Sequence, residues 1–379
     1  MATKIIKLRA SALDAWTTSG TISQELSPLP FTLTRLVIVT TLNTTTTTTG
    51  AYNDMMDRFF ANFTLTGSKG KTYFGITDPR VYRAHSRMVF GGATAGKRQT
   101  IPDSGTNALY QFVTTFHFGV QPTKIDPISG QLVDDPFDLS GGIPPTGAGT
   151  LTLTGAYGSS TVMGSGITTQ TGSGNTLTRS VLYYYGVQKD QGDAPSAYMP
   201  RAIPNWSMLT PSVAATSGAW ALTQNVPAGD FLHSITSVTY RGTNTPRDNQ
   251  VFNSFGLYLA TQNQWPLQYG GQGLGYLDAS VAQVLSQQSM RGWPPDDDNI
   301  TLGIPSIAAA SDFGIIHIPM WQLFSKTGSP YGADLRNVNT GDLQIGYGVN
   351  NATSVTWNML FRRYTPVDVD ALAQELGFA

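Results

Sequence analysis

Phe31 to Gly50 reads FTLTRLVIVTTLNTTTTTTG. Its first twelve residues are apolar and β-branched, the composition that fits a pleated, half-buried surface. The threonine run that follows has two readings. It is a polar, mobile linker of the kind homopolymeric tracts form, or it is the outer half of the same strand. Thr is restricted at its branched Cβ and keeps a backbone extended. Continuity with FTLTRLVIVTTL favours the strand, with a turn at Gly50.

The whole chain leans the same way. Among 379 residues there are 48 Thr and 40 Gly, but only eight Lys and two Glu, Glu25 and Glu375. Lys and Glu usually fill exposed helix faces, so this chain reads as strands and loops, an all-β protein. Hydrophobic residues make up 40%, enough for a packed core. Charged residues are 12% and the formal net charge is −1. No field of either sign covers the surface, so direct specific nucleic-acid binding is not expected. With no cysteine, disulfides, zinc–thiolate sites and thiol nucleophiles are excluded. The first residues, MATKIIKLRASALDAW, lack the apolar core of a secretory signal. The five Asn-x-Ser/Thr sequons read as by-products of a Thr-rich composition.

Period-two alternation marks the clearest strands. YQFVTTFHFGV (Tyr110–Val120) places Tyr110, Phe112, Phe116 and Phe118 on one face. LQIGYGV (Leu343–Val349) and VTWNMLFRR (Val355–Arg363) alternate as cleanly. Asn62–Thr66, Thr150–Thr154, Val181–Val187, Phe231–Arg241, Phe252–Thr261 and Phe313–Trp321 are further candidates. Helices are few: Ala279–Gln288 behind Asp278, a short one from Asn53 to Phe60, and the tail Asp368–Leu376, with Asp368 as its cap. Long connections run through Gln121–Gly149, Gly155–Thr178 and Pro294–Asp298.

The polar stretch QKDQGDAPSAYMPRAIP (Gln188–Pro204) divides two halves that resemble each other in order. FTLTRLVIVTT corresponds to FLHSITSVTYR, ANFTLTG to FNSFGLYLA, and YQFVTTFHFGV to FGIIHIPMW. TLTLTGAYG and VLYYYGV correspond to LQIGYGV and VTWNMLFRR. Two β-sandwiches in tandem account for this.

No motif carries chemistry. A Gly-x-Ser-x-Gly elbow is absent, and His85, His117, His233 and His317 are scattered among different segments. Asp134, Asp135, Asp138 and Asp296–Asp298 read as turn formers and solvated charge. A Ca²⁺ ion at Asp296–Asp298 is the alternative. GGQGLG (Gly270–Gly275) lacks dinucleotide spacing. No cofactor is expected. Arg83, Arg87, Lys97 and Arg98 read as a solvated loop. Lys4, Lys7 and Arg9 read as an ordinary terminus or as an arm touching an anionic surface. The C-terminal helix either docks on its own domain or clamps a neighbouring subunit through Val369, Leu372, Leu376 and Phe378.

With these residues in view, the chain resembles the double jelly-roll major capsid proteins of tailless icosahedral viruses, the lineage of tectivirus-like bacteriophages and the adenovirus hexon. RLVIVTTLNTTTTTTG, YNDMMDRFFANFTLTG and LQIGYGVNNATSVTWNMLFRRYTP carry the resemblance, which rests on strand order over roughly Leu29 to Thr365. It implies two tandem eight-stranded jelly-roll sandwiches with a few short helices and long loops. The corresponding divisions are an N-terminal arm (1–28), a first jelly roll (29–190), a linker (191–204), a second jelly roll (205–365) and a helical tail (366–379). It further implies a structural virion protein, made in the host cytoplasm and not an enzyme. Such a protein forms pseudo-hexagonal homotrimers that meet neighbouring capsomers and minor vertex proteins in an icosahedral capsid. Lys4, Lys7 and Arg9 would then face an internal lipid membrane, and Gln121–Gly149 and Gly155–Thr178 would be tower or inter-subunit loops. Two other readings remain. One is a carbohydrate- or receptor-binding tandem β-sandwich, with Trp206, Trp220, Trp265 and Trp293 as groove candidates. The other is a glycan-cleaving enzyme on a double jelly roll.

Overall fold

The computed structural model describes residues 2–12, 19–46, 58–90, 105–120, 124–125, 127, 132–133, 135–147, 149–158, 167–169, 178–213, 222–241, 251–270, 315–323, 329–349 and 355–378. The expected helices over Ala279–Gln288 and before Arg58, the Gly270–Gly275 loop beyond Gly270, and Asp134 and Asp296–Asp298 lie outside them.

The chain divides into two units, Met1–Ser207 with Tyr364–Ala379, and Met208–Arg363. In chain order the first contains β1 (Thr3–Ala12), β2 (Thr21–Glu25), β3 (Phe31–Thr46), β4 (Phe60–Gly67), β5 (Thr72–Ile76), α1 (Pro79–Phe90) and β6 (Gly105–His117). It continues with β7 (Lys124–Ile125), β8 (Leu132–Val133), β9 (Leu151–Tyr157), β10 (Ile167–Thr169), β11 (Arg179–Gln188) and β12 (Ala202–Pro204). Then come β13 (Ser207–Leu209), β14 (Leu222–Asn225), β15 (Phe231–Arg241), β16 (Phe252–Leu259), β17 (Gln264–Gly270) and β18 (Ile315–Pro319). The last elements are α2 (Met320–Leu323), β19 (Ala333–Asp334), β20 (Leu343–Val349), β21 (Val355–Pro366) and α3 (Val369–Glu375).

Each half of the chain makes the same pair of sheets. In the first, β1-β11-β3 continues into β6, and β2-β9-β4-β5 forms the other sheet. In the second the orders are β12-β21-β15-β18 and β14-β20-β16-β17. The strand correspondences read from sequence are therefore correspondences of position: β3 with β15, β4 with β16, β6 with β18, β9 with β20, β11 with β21.

The opening stretch is β3. Leu36, Ile38, Thr40 and Leu42 are buried, and Arg35, Val37, Val39 and Thr41 between them are half-buried. The strand runs into the threonine tract as far as Thr46. There Thr44–Thr46 pair with β10 on one side, and Thr44 and Thr46 with β6 on the other. Where the buried stripe turns polar, the hydroxyls pair across strands: Thr40 and Ser180 lie 2.8 Å apart at one register position.

Four expectations change. The described residues of 1–28 are not an arm outside the sandwich: β1 pairs with β11 and β2 with β9. The β-prone Ile5, Ile6 and Leu8 found an open sheet edge, and the interleaved cations did not prevent pairing. Residues 191–204 are not a free linker, since Tyr198–Pro200 and Ala202–Pro204 are buried in the first unit. The second half of Gln121–Gly149 is no tower. Gly141–Pro145 are buried, and Ile143 exchanges two backbone hydrogen bonds with Leu33, at 2.8 and 2.9 Å. Arg83 lies in no solvated loop but in α1, buried, donating to the Val113 carbonyl at 3.4 Å. The sequence reading missed α1, although its start carries the usual helix signals. Asp78 accepts from the Arg80 amide at 3.1 Å as the cap, and Pro79 occupies the first helical position.

Candidate functional site

A shell-forming role needs contact surfaces, and a catalytic one needs reactive groups in reach of a substrate. Reactive groups come first. His85, His117, His233 and His317 are each at most 2% exposed. The His117 ring stacks on Phe90 at 4.2 Å, and its backbone amide donates to the Tyr82 hydroxyl at 2.9 Å, so α1 covers this part of β6. In the second unit His317 Nδ1 meets Thr236 Oγ1 at 2.9 Å, and His233 Nδ1 meets the Ser234 hydroxyl at 3.3 Å. Burial, helped by the buried Arg362 guanidinium, pushes the His317 pKa down to about 3. Burial, with Arg362 and His317 adding positive charge, also pushes His233 well below its ordinary value. A neutral histidine beside a serine suits nucleophilic catalysis only if substrate can arrive. His233 and Ser234 are both fully buried. Sequence reading missed this cluster because β15, β18 and β21 are distant along the chain.

Asp135 and Asp138 act as turn formers. Asp135 accepts from the Phe137 amide at 3.0 Å and Asp138 from the Ser140 amide at 2.9 Å. Asp138 also accepts from the Ser140 hydroxyl. Its pKa is raised, because burial outweighs those hydrogen bonds. Among the described residues no three His, Asp or Glu side chains gather as a metal site.

The surface candidates fare differently. β1 forms the outer edge of its sheet. Lys4 is exposed there, with its ammonium 5.4 Å from the centre of the Phe137 ring. Lys7 pairs in register with Tyr184. Arg9 belongs to the same strand. The tail helix forms as expected: Asp368 accepts from the Asp370 and Ala371 amides. Its apolar side meets its own unit. Val369, Leu372, Leu376 and Phe378 pack with Phe137 and Leu139 on the Val187, Tyr198, Met199 and Ala373 cluster of their own unit. Tyr198 and Lys189 both donate to the Phe378 carbonyl.

Of the groove tryptophans, Trp206 is 1% exposed. It sits among Phe74, Tyr82, Phe118 and Tyr364, with ring centres 5.7–6.4 Å away. It is core. Trp220 and Trp293 lie outside the described residues. Trp265 is half-buried beside Tyr258, 4.8 Å between ring centres.

No protein-family model matches the chain, and no curated protein matches it. Solved structures do. The crystal structure of the STIV MCP (Sulfolobus Turreted Icosahedral Virus) superposes with a TM-score of 0.66. It does so at 12% identity, over 98% of this chain and 99% of that one. The chain has a double jelly-roll fold. A quasi-atomic model of the PBCV-1 virus capsid matches with a TM-score of 0.60, at 11% identity, over 96% of this chain and 94% of that one. At such identities the likeness lies in the fold. The double jelly roll seen here, with its paired four-strand orders, is that architecture along nearly the full chain.

Proposed function

We propose that this chain is a major capsid protein, the repeated building block of an icosahedral virion shell. The observation that carries the reading is the doubled sheet order, together with a superposition over 98% of the chain on the STIV MCP. Two units of one strand order per chain make six such units in a homotrimer. Six similar units around a threefold axis give a nearly hexagonal outline, and hexagonal tiles meet edge to edge in a closed shell. The low charge supports this, because many copies of a strongly charged chain would repel one another. The burial of all four histidines away from solvent also fits a structural role better than a catalytic one.

Within this reading the edge strand β1, with Lys4, Lys7 and Arg9, faces an internal membrane. Its cations would meet anionic headgroups at about 1 kcal/mol each near the surface. Minor capsid proteins would occupy the vertices, where hexagonal tiles cannot close a fivefold position.

Light scattering of the purified chain, with negative-stain images of the same sample, tests the proposal. Three copies of a 40.7 kDa chain, a particle of about 122 kDa with a hexagonal outline, is the expected result. A monomer that persists at high concentration overturns it. Flotation with anionic vesicles, lost in a Lys4, Lys7 and Arg9 triple alanine variant, is expected if edge strand β1 faces the membrane.

A further inference from the structure

One end of the β14-β20-β16-β17 sheet carries a row of uncharged polar and aromatic side chains. Asn225, Gln344 and Tyr258 stand side by side at one register position across β14, β20 and β16. Beside them Trp265 lies across Gly346. A side chain on Gly346 would begin 2.2 Å from the indole ring, so the glycine makes the space the ring occupies. Tyr258 flanks the indole at 4.8 Å, tilted 36°. Asn263, in the left-handed region at φ 49°, holds the connection between β16 and β17.

The polar groups of this row are tied together without being used up. Gln344 Nε2 donates to Asn225 Oδ1 at 3.1 Å, and the Tyr258 hydroxyl donates to Asn263 Oδ1 at 3.1 Å. A primary amide has two N–H donors and a two-lone-pair acceptor. The Asn225 and Asn263 amide nitrogens, the Gln344 carbonyl oxygen and the lone pairs of Tyr258 therefore keep capacity, in orientations already fixed. Asn225 and Asn263 are exposed, and Gln344, Tyr258 and Trp265 are half-buried. None of the five carries a charge.

We propose that this row is a binding site for a neutral carbohydrate. A sugar ring has an apolar C–H face and a rim of hydroxyls that donate and accept together. An aromatic face with its negative quadrupole suits the first, and pre-oriented amides suit the second. Aromatic walls with a few placed polar groups are the usual make-up of a small-molecule site. An anionic ligand has no cation to meet in this row, and an apolar peptide would leave its amides unpaired. The site lies within the second unit and does not depend on the assembly reading. A monomer that binds sugar would sink only the capsid proposal, and a shell that binds none only this one.

The experiment is a glycan array probed with the intact protein and with its Trp265→Ala and Gln344→Ala variants. Binding to neutral oligosaccharides, unchanged on raising salt, is expected. Trp265→Ala should weaken it at least about tenfold, the loss that truncating a central aromatic anchor brings. Gln344→Ala removes one amide without disturbing the indole, so a severalfold loss is expected there even if Trp265→Ala misfolds. Absence of binding, binding only to acidic glycans, or neutral-glycan binding that Gln344→Ala leaves unchanged would overturn the proposal.

Discussion

The two units share one strand order and fill it differently. In the first, Phe59, Phe60, Phe63, Phe112 and Tyr157 meet edge to face or stacked, 4.7–6.3 Å between centres. Phe116 and Phe74 then link them to Trp206. The second is mostly aliphatic, with Ile235, Leu257, Ile316, Ile318, Ile345 and Met359 around one indole, Trp357. Trp357 donates to Ser237 at 2.7 Å and touches Phe252 and Tyr347. The second unit also buries Arg362 with two neutral histidines. The strand order is fixed by where apolar stripes fall along the chain. The interior then tolerates any set of side chains that fills the volume and satisfies its polar atoms.

The contrast can be broken at its two indoles. Trp206→Ala and Trp357→Ala should each cost about 3–5 kcal/mol, the usual toll of emptying a large core site. Hydrogen exchange resolved by peptide should then show protection falling first in the unit that was changed. Equal loss everywhere in both variants would mean that the two units unfold as one.

Acid should act on the second unit through His317. The native pKa of His317 lies near 3, below its unfolded value of about 6.5. Stability from keeping it neutral is therefore complete above about pH 6.5 and is lost as pH falls toward 3. The slope approaches about 1.4 kcal/mol per pH unit for each such histidine. Denaturant melts between pH 7 and 4 should show this slope, and His317→Gln should reduce it. A slope unchanged in that variant would place the acid sensitivity elsewhere.

Two glycines sharpen the comparison. A side chain on Gly186 of β11 would begin 2.1 Å from the buried Phe31 ring. Gly186→Ala should therefore cost about 1–3 kcal/mol by overpacking. Gly346→Ala meets the half-exposed Trp265, which can swing away, so its cost should stay below about 1 kcal/mol. Thermal melts of the pair give the ranking, and equal costs would show that Trp265 is held as rigidly as Phe31. A comparably small effect belongs to the tail: Asp368→Ala removes the α3 cap and should cost about 1 kcal/mol, seen as faster exchange over Val369–Glu375.

Much of this was legible in the chain itself. Thr and Gly in place of Lys and Glu made it all-β, β-prone composition located β3, and period-two stripes located β6, β20 and β21. The parallel order of segments in the two halves gave the doubled architecture, and Asp368 marked the tail helix. These are local properties, written in propensity and spacing. What the tertiary structure decided depends on partners far away in sequence. β1 became a sheet edge because β11 lay beside it, and the half-loop at Ile143 became a strap because Leu33 offered two backbone groups. Trp206 became core because rings from Phe74 to Tyr364 closed around it. The tail turned its apolar side inward because Tyr198 and Met199 left a surface to cover. Partners as far apart in the chain as Thr3 and Gln188, or Leu33 and Ile143, settle such outcomes, and no short window of sequence contains both sides of the contact.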